Sequence, residues 1–338
     1  MTLTIDTPAA APVQRASFHC LGTRVLHVLY QHRVMSTDQM LRLLLPTAGD
    51  ASYLRRQLRE LLAAGLVQRI WASHRPTPAE QPNGKTRRPV KPPYLWFLTE
   101  EGAQSVEDGG ELRPRPYRIT PEAVAGARQL HTLAVTETGI AFARHAARLG
   151  HECGPLDWTP EVAHRIRDGQ RRFEDDHVIT DAVLNYVHVR RGQRAMLTLF
   201  LELDRATMTV ARLAAKVAAY GRLHEYVPQH PDRARRSAAS TRPSWQYTYP
   251  VFPRLLVVLD GQPSPTLGAR LAARTEDLYA LTRADPRLAR LAGRLSIGVT
   301  TLQLLQERGP FEPIFTPLLR GTPENRHPLT DLYLKTAQ

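Results

Sequence analysis

Three carboxylates and one lysine between positions 177 and 220 have the residue types and spacing to do chemistry. The segment HVITDAVLNYVHVRRGQRAMLTLFLELDRATMTVARLAAKVAAY contains two strand-like runs around a polar turn at 190–194, with Gly192 near its centre. Such a pattern reads as a hairpin. A turn centred there sets Asp181 opposite Glu202, Leu203 or Asp204. Along the second strand Leu197, Leu199, Leu201 and Leu203 take one face, and Thr198, Phe200, Glu202 and Asp204 the other. Glu202 and Asp204 therefore point the same way, and Asp181 can join them. Three adjacent carboxylates are costly without a counter-charge. A divalent cation, Mg²⁺ or Mn²⁺, held by Asp181, Glu202 and Asp204 is one solution, because such ions prefer oxygen ligands.

The next helical run places Arg212, Lys216 and Tyr220 four residues apart, on one face. Lys216 is one of four lysines beside 41 arginines. Its ammonium, near a metal-bound water, could position a nucleophile or stabilise charge building on a phosphoryl group. In that reading Asp181, Glu202 and Lys216 are catalytic. The same residues also admit a structural reading, with Asp181 an ordinary polar residue and Glu202, Asp204, Arg205 and Arg212 in an ion-pair network.

The elements that must position these groups follow from length and pattern. A chain of 338 residues suggests two domains, and 42% apolar with 23% charged residues is ordinary for a soluble globular protein. No apolar run reaches the length of a membrane span. The N-terminal stretch MTLTIDTPAAAPVQR lacks the basic start and apolar core of a secretory signal. Cys20 and Cys153 lie far apart without metal-ligand spacing, as expected of free thiols in a reducing cytoplasm.

The net charge of +13 points to a polyanionic partner. Positions 51–98 alone hold nine Lys or Arg against two acids. Helical patterns start at Gly22, at the Ser36-Thr37-Asp38 cap and at about position 49. The second has Met40, Leu41, Leu44 and Leu45 inside and stops at Pro46. The third puts Leu54, Leu58, Leu61 and Leu62 on one face and ends at Gly65. A strand at 66–71, a polar Pro-rich connection, a strand at 94–98 and a helix capped by Thr99 follow.

That order predicts an N-terminal winged helix-turn-helix over 18–112. Tyr53, Arg55, Arg56 and Arg59 lie off the leucine face of the third helix, where a recognition helix meets the major groove of double-stranded DNA. Lys85, Arg87, Arg88 and Lys91 in the wing could reach an adjacent groove or the backbone. Prolines at 114, 116 and 121 mark a linker. Beyond it, a helix at about 121–149, strands at 177–189, 195–204, 252–260 and 295–304, and helices at 206–224, 266–282 and 286–293 predict an α/β domain over 120–320.

At these residues the chain resembles the replication-relaxation family of plasmids and mobile elements. The winged helix, the helix around His131-Thr132-Leu133-Ala134-Val135, the strand ending Thr180-Asp181-Ala182, and Glu202-Leu203-Asp204-Arg205 with Lys216 and Tyr220 carry the resemblance. The second half is also similar to the PD-(D/E)xK nuclease-like fold, within an α/β class (α+β overall). That likeness implies Asp181 as first metal ligand and Glu202 as second. The lysine it expects falls at position 204, where this chain has Asp204; Lys216 could replace it, and Glu137 could add a ligand. His131 reads as a helix-packing histidine.

No tyrosine nucleophile with a three-histidine metal site is present, which argues against the usual conjugative relaxase. Gly84-Lys85-Thr86 lacks the earlier glycine of a phosphate loop. The resemblance implies a DNA-binding protein acting in replication, relaxation or transfer, or in their regulation. A metal-dependent nuclease or nickase and a winged-helix transcriptional regulator with a dimerisation domain are the alternatives. Expected partners are double-stranded DNA, a second copy of the chain, and replication or conjugation proteins, with no membrane.

Overall fold

The computed structural model describes residues 20–72, 92–114, 119–169, 172–228 and 242–334. The fold is mixed α/β, with a three-stranded and a six-stranded sheet.

The first part begins with α1 (Leu21–His32) and the two-residue strand β1 (Met35–Ser36). Helix α2 (Thr37–Leu44) carries a complete capping box, in which Ser36 Oγ accepts from the Gln39 amide and Gln39 Oε1 accepts from the Ser36 amide. Its buried apolar face is Met40, Leu43 and Leu44, while Leu41 and Leu45 are only partly covered. Helix α3 (Ser52–Ala63) buries Leu54 and Leu58 completely. Gly65, at φ +72°, turns the chain into β2 (Val67–Trp71), which pairs antiparallel with β3 (Tyr94–Leu98) from Val67↔Leu98 to Trp71↔Tyr94. Strand β1 adds to the other side of β3. It escapes the pattern reading because two residues cannot show alternation.

Helix α4 (Glu100–Asp108) is capped by Thr99 and then gives way to the proline-containing segment. The single helix predicted from 121 to 149 is two: α5 (Pro121–Ala125) and α6 (Gln129–Leu149). Gly126 is extended between them, so the helical hydrogen-bond ladder breaks there.

The large sheet has the order β4 (Trp158–Arg165), β5 (His177–Arg190), β6 (Gln193–Asp204), β7 (Arg254–Leu259), β8 (Ile297–Thr301) and β9 (Thr316–Pro317). Only β6–β7 and β7–β8 are parallel. The expected hairpin is β5–β6. Its turn is Arg191-Gly192, both residues at positive φ (49° and 78°), so the tight turn matches the twist of its strands. Between strands lie α7 (Phe173–Asp176), α8 (Val210–Glu225), α9 (Leu267–Ala284), α10 (Pro286–Leu291) and α11 (Leu302–Arg308), and α12 (Leu329–Leu334) follows the last of them.

Alternation divides the core. Leu199, Leu201 and Leu203 pack toward α6 and α11, while Val183, Phe200 and Val257 pack with Leu213 and Val217 of α8. The α6-side core continues into Val25, Leu29, Met40 and Leu58, so apolar packing joins the first part to the sheet. Polar contacts hold the same junction. Gln31 donates to the Trp158 carbonyl at 2.9 Å, and the His32 ring stacks on Trp158 at 4.2 Å.

Candidate functional site

The β5–β6 ladder closes at Ala182↔Leu201, and just past that point the side chains take over. Asp181 Oδ2 accepts from the Leu203 amide at 2.7 Å. Its other oxygen lies 3.0 Å from Lys216 Nζ and 3.4 Å from His131 Nε2. Lys216 reaches down from α8 and also contacts Glu202 Oε2. Tyr220, one turn further along α8, donates its hydroxyl to Glu202 Oε1. The four-residue spacing therefore delivers Lys216 and Tyr220 to one carboxylate pair, while Arg212 is exposed and stands apart.

Burial alone would disfavour ionised Asp181. The His131 contact, Lys216 and the Leu203 amide nonetheless hold its carboxyl well below the ordinary range. Glu202, with 2% of its surface exposed, goes the other way: burial first, and then the Asp181 charge, push it well up. Burial also works against the Lys216 ammonium, but the two carboxylates more than offset it.

A chain of polar groups leads on from Glu202. The Tyr220 hydroxyl lies 3.1 Å from Thr180 Oγ1, which lies 3.2 Å from His164 Nδ1. His164 Nε2 meets the Tyr249 hydroxyl at 2.8 Å. Burial pushes His164 down to about 4, so the ring is neutral at neutral pH. Val135, Thr138, Leu201, Leu203 and Val258 line the recess beside Asp181 and Glu202.

Asp204 does not join this cluster. It is 1% exposed, its Oδ2 is bound by Arg274 Nε from α9, and its Oδ1 accepts from the Ala206 amide at 3.1 Å. Arg274 also donates to the Met208 carbonyl at 2.7 Å. The expected convergence of three carboxylates is thus corrected to two plus one, because an arginine 70 positions away supplies the third with its own cation. Glu137 is likewise committed elsewhere: it holds Arg42 through both oxygens and accepts from Gln39 and Gln306. The expected network among Glu202, Asp204, Arg205 and Arg212 does not form; Arg205 pairs with Asp260 at 3.2 Å. Among the described residues no group of three or more His, Cys, Asp or Glu is placed to hold a metal ion. His131, read as a packing residue, instead touches Asp181.

The second candidate surface is the outer face of α3. Tyr53 is 48% exposed, and Arg55, Arg56 and Arg59 are exposed. The Arg56 guanidinium sits 5.0 Å from the Tyr53 ring centroid and 3.8 Å from Glu60. Lys85, Arg87, Arg88 and Lys91 lie outside the described residues. No helix among the described residues is long and apolar enough to cross a membrane.

A family model described as replication-relaxation matches residues 26–235, a span that holds both surfaces. No curated protein and no solved structure gives a significant match.

Proposed function

The chain belongs to the replication-relaxation family, and from that premise we propose that it is a DNA-binding protein of a plasmid or other mobile element, acting in replication, relaxation or transfer, or in their regulation. Residues 18–112 act as a winged helix-turn-helix that sets α3 in the major groove of double-stranded DNA. Residues 120–320 act as an α/β body of the PD-(D/E)xK-like kind, a reading supported by the element order α6, β4, α7, β5, β6, α8, β7. One observation carries the reading. Leu54 and Leu58 anchor α3 from beneath, and the face turned outward carries Tyr53 and three arginines against the single acid Glu60. A rigid, cationic, hydrogen-bonding helix face is what groove recognition needs.

The test is duplex binding by fluorescence anisotropy across a salt series. Arg55→Ala/Arg56→Ala is expected to weaken binding and to flatten the log–log salt slope by about 0.9 for each phosphate that the arginines neutralise. A double variant with unchanged affinity and slope would remove α3 from the interface.

The carboxylate cluster is, in this reading, structural. Its donors do not fit Mg²⁺ or Mn²⁺. Such an ion needs oxygen ligands near 2.1 Å and usually retains waters, but the Lys216 ammonium already bridges Asp181 and Glu202, and Asp204 is bound to Arg274. Most of the lining around the pair is apolar. Supercoiled plasmid incubated with the protein and either ion is therefore expected to stay intact. Cleavage by the wild type that disappears in folded Asp181→Asn and Glu202→Gln variants would reinstate the nuclease reading.

A further inference from the structure

The small sheet carries a ladder of flat side chains at its outer end. Tyr94 stacks on Trp71 with ring centroids 3.9 Å apart and 25° between planes. The Arg69 guanidinium lies on Tyr94, 4.1 Å from its centroid, and 5.4 Å from the centroid of Trp96. The order along the ladder is thus Trp71, Tyr94, Arg69, Trp96. The strand register enforces it, since Trp71 pairs with Tyr94 and Arg69 with Trp96.

The two ends of the ladder differ. Trp96 is 3% exposed, and its indole N–H donates to Thr37 Oγ1 at 2.9 Å. Trp71 is 48% exposed although one of its ring faces is covered by Tyr94. Among the described residues the stack is anchored at one end and open at the other. The Ala72 amide bonds the Pro93 carbonyl at 2.9 Å directly beyond, so the strands stay paired behind the open ring. Desolvating an unsupported surface tryptophan gains little specificity. One held rigidly by a tyrosine and an arginine is preorganised to accept another flat ring.

We infer that Trp71 is a stacking platform for an unpaired nucleobase, so that the chain engages single-stranded or locally opened DNA beside the duplex gripped by α3. This rests on the DNA-binding reading above. Charge complementarity selects a nucleic acid: positions 51–98 carry nine Lys or Arg against two acids. The shape of the stack selects an unpaired base. In an intact duplex both faces of each internal base are covered by its neighbours, whereas an unpaired base offers its π-face to an aromatic ring. Trp71 supplies the π-surface, and Arg69, held over Tyr94 by cation–π attraction and exposed, adds a positive charge to the same sheet face.

The probe is a short oligothymidylate titrated into the full chain, followed by tryptophan emission and by anisotropy. Trp96 and Trp158 are buried and Trp245 is half-buried, so stacking on the more exposed Trp71 is expected to quench part of the emission as the oligonucleotide binds, and Trp71→Ala assigns that part. Trp71→Ala is expected to weaken oligothymidylate binding about tenfold and abolish the quench, while Trp71→Phe keeps most of the affinity. Because Trp71 is half exposed, a thermal melt close to wild type serves as the folding control. Arg55→Ala/Arg56→Ala should lose duplex affinity yet keep the quench. Wild-type protein that binds duplex but shows no quench, or Trp71→Ala that binds oligothymidylate like the wild type, would overturn the platform alone. Failure to bind either nucleic acid would overturn the DNA-binding reading with it.

Discussion

Lys216→Met is expected to lower folding stability by about 3 kcal/mol, near the lower end of the roughly 3–5 kcal/mol seen when one partner of a buried ion pair is removed. The lower end applies because the lysine side chain is 28% exposed. The variant leaves two carboxylates facing each other, one of them almost fully buried. The damage should depend on pH with a definite sign. Burial and Asp181 already raise the folded-state pKa of Glu202 above its unfolded value. Without the ammonium this rise grows, so the folded variant holds a proton that the unfolded chain releases. Stability of the variant then falls as pH rises above the ordinary glutamate range, and the deficit relative to wild type narrows on acidification. Asp181 acts in the opposite sense in the wild type: its depressed pKa contributes stability that is lost as pH falls below the ordinary aspartate range. Urea melts near pH 5.5 and near pH 8 read the Glu202 behaviour alone, because both lie above the range in which Asp181 loses its contribution. Adding Glu202→Gln to Lys216→Met should recover most of the loss at the higher pH. A Lys216→Met chain as stable as wild type at both pH values would mean that the cluster contributes nothing to the fold.

What the sequence makes legible here is local. The Arg191-Gly192 turn, the leucine alternation on β6 and the four-residue spacing of Lys216 and Tyr220 are short-range signals. Together they set Asp181, Glu202 and Asp204 near one another and put Lys216 and Tyr220 on one helix face; the structure keeps Asp181, Glu202, Lys216 and Tyr220 together and pairs Asp204 elsewhere. The capping residues Ser36 and Thr99 and the Leu54–Leu58 face are of the same kind. Strand β4 gives no such signal, because Thr159 to Arg165 mixes proline, acids and bases with few apolar residues. It is held by pairing to β5 rather than by its own pattern. The break between α5 and α6 turns on one extended glycine, which periodicity over a long helix conceals. The partners of Asp204 and Glu137 lie 70 and 95 positions away in sequence, so no spacing rule connects them. The Trp71–Tyr94 stack depends on cross-strand register across a connection of more than twenty residues, which the sequence alone leaves open.

Asp204→Ala is the variant that separates a metal-ligand role from a structural one. A residue serving only as a metal ligand would lose activity on truncation and leave the fold intact, often stabilised by relief of like-charge repulsion. The pairing with Arg274 predicts the reverse. The Arg274 side chain is 10% exposed and that of Asp204 fully covered, so truncation strands a guanidinium in the interior with the neutral Met208 carbonyl in place of a carboxylate. Loss of about 3–5 kcal/mol is expected, again as the cost of an uncompensated buried charge. The double variant Asp204→Leu/Arg274→Met tests the origin of that loss. With both charges replaced by apolar groups of similar volume, much of the stability should return, because the desolvation penalty is removed along with the pair. Chemical denaturation of the wild type, Asp204→Leu, Arg274→Met and the double variant closes the cycle, and a strong coupling energy is expected for groups in direct contact. If Asp204→Ala were as stable as wild type and the cycle showed no coupling, Asp204 would be free to act elsewhere. A carboxylate at the position where the nuclease-like resemblance expects a lysine would then need an explanation other than the recruitment of this residue by α9.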